Sequence, residues 1–255
     1  MKIHFDTDLE TLRHRLIDMS NNVKKMIQLA TRIFFDQDPS LLDEIYEIED
    51  LVNHQEIDIE EFGITLIALH QPAAKDLRMI ITVLKMSTLN ERMGDLAVNI
   101  AKRIPRMIPI PWESFPDEIH EISEISMEML EDAVSSFLEQ DPQKAREICL
   151  RDDVVDDLNR RILTEFISEI NQSEIDTEKG LEMVMISKQY ERIADCATNI
   201  AEEVIFYVKG KNIKHHYEEE KREESLKEIP TFELTKEETE VQKLENEEKE
   251  DNPGF

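Results

Sequence analysis

Five glycines in 255 residues are too few for a chain built of hairpins, because tight β-turns consume Gly and Asn. Glu, Leu, Ile, Met and Lys are abundant instead, and they favour helix. Cysteine is equally scarce. Cys149 and Cys196 are the only two, which excludes a disulfide framework or a thiolate metal site and agrees with a reducing compartment. No run approaches the roughly 18 to 20 consecutive apolar residues of a membrane span. The opening Met1-Lys2-Ile3-His4-Phe5-Asp6 lacks the apolar core of a secretion signal, so a cytoplasmic protein is expected. Basic residues are in deficit, 30 Lys and Arg against 58 Asp and Glu, for a formal net charge of -28. Such a chain repels nucleic-acid phosphate and favours multivalent cations and basic protein surfaces. Gly-rich phosphate loops are absent, and none of the seven histidines follows a Glu by three residues. A P-loop nucleotide site and a ferritin-like di-iron centre are therefore excluded.

What is present is an apolar fraction of 40%, enough for a globular core, and clear punctuation. Asp38-Pro39 and Gln71-Pro72 each open a segment, and the stretch from Pro105 to Pro116, with Pro109 and Pro111 inside it, is expected to hold no helix. The predicted fold is all-α: two pseudo-repeated antiparallel three-helix bundles followed by an acidic C-terminal tail. Helices are expected near 8–36, 40–69 and 73–104 in the first bundle, and near 117–140, 142–171 and 176–209 in the second. The domains are then residues 1–104, a Pro-rich linker 105–116, residues 117–210, and a mobile tail 211–255 whose apolar residues are too sparse to bury much.

The two bundles are copies. Asp36-Gln37-Asp38-Pro39 recurs as Glu139-Gln140-Asp141-Pro142, and the segment Glu91 to Ala101 recurs as Glu191 to Ala201 with seven of eleven positions identical. A repeat of about one hundred residues is too long for a solenoid and implies a duplicated domain. Within it, Glu91, Asp95 and Asn99, and again Glu191, Asp195 and Asn199, lie one helical turn apart on one face. That face continues a stripe containing Leu77, Ile80, Ile81 and Leu84 in the first copy, and Leu181 and Val184 in the second.

Paired carboxylates at the edge of a bundle repel each other and lose hydration unless something positive offsets the cost. One reading is an internal salt bridge to Arg78, Arg92 or Arg192. The other is a hard cation, such as Mg, Ca, Mn or iron, held by carboxylate and Asn oxygens. Glu49-Asp50-x-x-Asn53 aligns with Asp152-Asp153-x-x-Asp156, giving a second acidic row in each copy. Two facing rows are hard to neutralise with the arginines available, and favour the cation. Asp117-x-x-His120 has no counterpart in the first copy and reads as a helix start with a surface His, and His215-His216 reads as solvated. The segment Gln71 to Arg78 is missing from the second copy. It is a helix start, or a functional corner at which Asp76 and Arg78 meet a partner protein.

Gln71-Pro72-x-Ala74-x-Asp76-Leu77-Arg78, Glu91-Arg92-x-Gly94-Asp95, Glu191-Arg192-Ile193-x-Asp195 and the closing Phe206-Tyr207-Val208-Lys209-Gly210 together resemble the PhoU family, accessory regulators of phosphate-specific transport in bacteria. The resemblance runs from about residue 8 to Gly210. It implies a cytoplasmic homodimer that represses the phosphate-starvation (Pho) response by linking a PstB-type transporter ATPase to a PhoR-type sensor kinase, touching the membrane only through those partners. It also implies multinuclear sites for divalent or trivalent ions (iron, zinc, manganese or magnesium). The ligands carried over are Glu91, Asp95, Asn99, Glu191, Asp195 and Asn199, completed by Asp50 and Asn53 and by Asp153 and Asp156. Two departures stand out: Ala194 replaces the glycine of the first copy, and the acidic tail extends past the family's usual end. The rival functions are a metal-dependent phosphohydrolase, a metal-free helical adaptor, and an accessory protein of a different phosphate permease.

Overall fold

The first long helix shows why this chain folds as bundles. Leu12, Leu16, Met19, Val23, Met26, Ala30 and Ile33 recur at alternating spacings of four and three, and every one is buried. That is the 3.5-residue seam of coiled-coil packing, which turns one continuous stripe toward two neighbouring helices. In this computed structural model, which describes residues 2–108, 115–172 and 175–211, the helices are α1 (Lys2–Asp36), α2 (Leu42–His70), α3 (Ala74–Ala101), a single turn α4 (Ile104–Met107), α5 (Asp117–Glu139), α6 (Pro142–Gln172) and α7 (Thr177–Lys209). No strand occurs among the described residues. The fold is all-α, as expected. Helices α1, α2 and α3 pack on one another, as do α5, α6 and α7, and α3 also lies along α7. The expected tail, with His215-His216, falls outside the described residues except for Lys211, as do positions 109–114 of the expected linker.

The start of that linker differs from expectation. Pro105 does not stop the chain from turning helically, because it stands in the first turn of α4, where a missing N–H costs nothing. Ile104 and Met107 of this turn are buried.

The repeated Asp/Glu-Gln-Asp-Pro motif acts as a helix-to-helix joint. Gln37 and Gln140 both take left-handed backbone angles, φ 52° and 53°, and end α1 and α5. The aspartate after each Gln caps the succeeding helical turn: Asp38 Oδ1 accepts the Ser40 amide at 2.9 Å, and Asp141 Oδ1 accepts the Gln143 amide at 2.8 Å. Proline then occupies the first turn in both places. Asp176 caps α7 in the same manner, and Gly210 ends it with φ 68°.

Polar ties run from α1, α3 and the turn after α3 to the last three helices. Lys85 Nζ donates to the buried Glu203 carboxylate at 2.9 Å, and Arg103 to the buried Glu182 at 2.6 Å. The hydroxyls of Thr31 and Tyr190 lie 2.9 Å apart. Because Glu182 and Glu203 are withdrawn from water, losing Arg103 or Lys85 would weaken the offset of that desolvation, and at Glu182 it would leave Arg106, 3.7 Å from Oε1, to share it.

Candidate functional site

Helix α3 carries two apolar faces, and the deeper one takes the core. Met79, Val83, Met86, Met93 and Ala97 are fully or almost fully buried, with Gly94 turned inward so that a Cβ there would meet Met26 at 3.3 Å. The stripe that leads to the carboxylates therefore forms the rim. Ile80 is buried, Ile81 and Leu84 are half-buried, and Leu77 is exposed. On the same line Glu91 is half-buried, while Asp95 and Asn99 are exposed. The second copy sits deeper. Glu191 is buried and Asp195 and Asn199 are half-buried, although Leu181 is exposed. The acids stand at the bundle edge, beside the core and not inside it.

The neighbouring helix brings an opposing row in each half, which includes the expected Asn53 and Asp156 and adds Glu49 and Asp152. Burial pushes the Glu49 carboxyl up, and the charges of Asp95 and Asp50 push it further, against Lys102. Glu91 is likewise raised, first by burial and then by Asp95, Glu56 and Glu49. Asp50 itself is exposed, and its carbonyl accepts His54 Nδ1 at 2.6 Å. Asn53 is half-buried. In the second half it is Asp152, not Asp153, that approaches α7: Thr198 Oγ1 donates to it at 3.3 Å. Burial, with Asp195 and Asp156 nearby, pushes the Asp152 carboxyl up to about 6. Asp195 is raised too, by burial, Glu191 and Asp156, with Lys188 and Arg92 opposing. Asp153 and Asp156 are exposed.

The facing rows are thus Glu49, Asn53 and Glu56 on α2, and Asp152, Asp156 and Asn159 on α6, where Asn159 Oδ1 accepts Ser187 Oγ at 2.8 Å. Glu49, Glu56 and Asp152 were not among the expected ligands. Their signal was a spacing of four then three residues, which keeps side chains on one helical face.

Of the cations proposed as alternative partners, Arg78 is engaged elsewhere and Arg92 is not. Arg78 Nε donates to the Tyr207 carbonyl at 3.1 Å, and its guanidinium lies against Gly210, so it satisfies the C-terminal end of α7. Asp76 is exposed beside it, and Lys75 reaches Gln140 at 2.6 Å. The corner thus ties α3 to the ends of α7 and α5. Arg92 lies near Asp195 of the other half, and Lys188 pairs with Glu191 Oε1. Glu191 Oε2 is nevertheless buried with no hydrogen-bond partner. Oxygen donors dominate both grooves, the set a hard cation prefers. As placed, no three of the described His, Cys, Asp or Glu side chains converge on one point. The thiols are unavailable as ligands or nucleophiles, since burial pushes Cys149 up to about 12 and Cys196 up to about 11.

Comparison with known proteins matches the repeat. A family model described as the PhoU domain fits residues 16–104 and again 119–204. The phosphate-specific transport system accessory protein PhoU homolog of Clostridium acetobutylicum is 33% identical over 210 residues, covering 82% of this chain and 96% of its own length. The protein of the same description from Aquifex aeolicus is 35% identical over 216 residues, covering 85% and 98%. Among solved structures, PhoU from Pseudomonas aeruginosa superposes with a TM-score of 0.78 at 30% identity, covering 81% of this chain and all of that one.

Proposed function

Because the chain belongs to the PhoU family, we propose that it is the accessory regulator of a phosphate transporter, acting by binding and not by catalysis. The observation that carries this reading is the duplicated groove of facing carboxylates, each row contributed by a different helix of its bundle. In this reading Glu91, Asp95 and Asn99, with Glu49, Asn53 and Glu56, hold a hard divalent or trivalent cation in the first half. Glu191, Asp195 and Asn199, with Asp152 and Asp156, hold one in the second. Asp50 and Asp153 supply charge from the outer side. A bound cation would offset the burial and the repulsion that raise Glu91 and Asp195. The carboxylates would then join α2 to α3 and α6 to α7 and fix the surface they share.

That surface contacts a PstB-type transporter ATPase and a PhoR-type sensor kinase, and the regulator represses the phosphate-starvation response as a cytoplasmic homodimer. The relatives are named as accessory proteins of phosphate transport, which supports the partner class. No helix among the described residues is long and apolar enough to cross a membrane, so membrane contact is assigned to those partners.

Two experiments test the reading. Replacing Glu91 and Asp95 together by Ala should remove about half of the metal in purified protein, since each half has its own donor set. Elemental analysis showing unchanged stoichiometry would remove the cation from the account. Deleting the gene should leave phosphate-starvation genes expressed in phosphate-rich medium, and ordinary repression in the deletion strain would remove the regulatory role.

A further inference from the structure

The rim stripe has a half that no cation would use. Along α3, Leu77, Leu84 and Glu91 are successive heptad positions, with Ile81, Thr88 and Asp95 beside them. The line therefore passes from apolar to acidic over roughly 27 Å at 1.5 Å per residue. Helix α2 runs antiparallel and presents Ile57 and Ile64 on the side of Asn53, 55% and 54% exposed, with the exposed Glu60 between them. The second half repeats the arrangement: Leu163 and Ile167 on α6 and Leu181 and Met185 on α7 are between 37 and 57% exposed, ahead of Asp152, Asp156 and Asp195.

A glycine closes the helix pair at each apolar end. A Cβ on Gly63 would come within 2.7 Å of Leu84, and one on Gly180 within 2.8 Å of Ile170. Each glycine thus makes room for an aliphatic side chain of the neighbouring helix, while Ile64 and Leu181 beside them stay exposed. Exposed aliphatic residues in a group, at the same place in two copies, mark a surface that is covered in use. The acidic ends outnumber the cations near them: Lys102 stands by Glu49, and Lys188 and Arg92 by Glu191 and Asp195, while Lys85 is paired with Glu203 and Arg160 with Asp157.

We propose that each stripe receives one helix of a partner protein, apolar at one end and rich in Lys and Arg at the other, so that each chain docks two such helices. The occupant is set by complementarity along the groove: aliphatic side chains cover Ile64 and Leu77 or Ile167 and Leu181, while basic ones face the carboxylates. This goes beyond the regulatory reading, because the apolar contacts need no metal and the basic end takes the carboxylates when no cation holds them.

The test uses the full chain and a synthetic 18-residue helical peptide, fluorescein-labelled, with Leu at helical spacing in one half and Lys and Arg in the other. In chelator, fluorescence anisotropy should show saturable binding of about two peptides per chain. Replacing the basic residues by Glu should abolish it. The double variant Ile64→Asp, Leu181→Asp should bind about tenfold more weakly, because apolar contact is lost. The added charge would strengthen a purely electrostatic association, so unchanged or tighter binding by this variant overturns the proposal. The charge-neutral pair Ile64→Ser, Leu181→Ser gives the same reading should the Asp variant melt early by circular dichroism. Sedimentation of both variants decides the rival occupant: conversion of a dimer to monomers with peptide binding intact would mean that a second copy covers these stripes. Metal content, measured separately, can fail without affecting the peptide result.

Discussion

Tyr190→Ala should lower the free energy of unfolding by about 3–5 kcal/mol, the range for deleting a large aromatic side chain from a packed interior. Tyr190 is fully buried and is the largest such side chain in the core. Its hydroxyl meets Thr31 of α1 at 2.9 Å, and its carbonyl accepts Ser126 Oγ of α5 at 3.0 Å. The side chain thus ties α7 to α1, and the backbone of the same residue ties it to α5. Burial raises the phenol above its ordinary value, so it stays neutral and the hydroxyl contact persists across the usable pH range. Tyr190→Phe, which removes only that contact, should lose about 1 kcal/mol. Urea unfolding followed by circular dichroism separates the two, and an Ala variant within about 1 kcal/mol of the parent would show that the neighbouring helices close over the gap.

Asp152→Asn should stabilise the metal-free protein at neutral pH while weakening metal uptake in the second half. The Asp152 carboxyl is pushed up to about 6 from an ordinary 3.8 by burial and by Asp195 and Asp156. A folded-state value above the unfolded one means that this group's contribution is complete below the unfolded value and is lost as pH rises through about 6. At pH about 7.5 the ionised carboxylate is therefore a burden. Discounted for partial solvent screening, the shift corresponds to about 1–2 kcal/mol. Glu49, Glu91 and Asp195 are raised in the same direction, so the metal-free parent should melt higher near pH 5 than near pH 7.5. The Asn variant should narrow that difference. Melting in chelator at both pH values checks it, and a variant no more stable than the parent at the higher pH would show that Asp152 is well solvated.

The helices and their joints were legible because their signals are local: an alternating apolar seam in α1, and a Gln that turns left-handed before an Asp cap and a Pro at both joints. The acidic rows were legible as rows, Asn53 and Asp156 among them, but in each adjacent acid pair the other member stands nearer the neighbouring helix. Glu49 and Asp50, like Asp152 and Asp153, are adjacent acids, and which one approaches the neighbouring helix depends on the buried residue nearby. Glu49 lies about 60° around the helix from Val52 and Asp50 about 160°, and the second pair stands in the same relation to Val155. Both valines are buried, so the answer was present in the spacing once the core residue of that turn was identified.

The direction of the α3 stripe was harder to read. Leu77, Ile81 and Leu84 look like core until the richer face formed by Met79, Val83, Met86 and Met93 is seen to take that place. The centre of each repeat also diverges in a way that pattern alone does not weigh. Opposite Tyr190 in the alignment stands Asn90, fully buried, with its amide donating to Ser20 Oγ and the Met86 carbonyl at 3.1 Å and its Oδ1 unpaired.

The two sequestered sulfurs have a practical consequence. At neutral pH neither Cys149 nor Cys196 offers an appreciable thiolate, so maleimide chemistry directed at an introduced surface cysteine should proceed without first stripping the native ones. Spin labels placed on the outer turns of α2 and α6 in the otherwise unaltered chain could then report whether the two grooves move when a cation or a helix arrives.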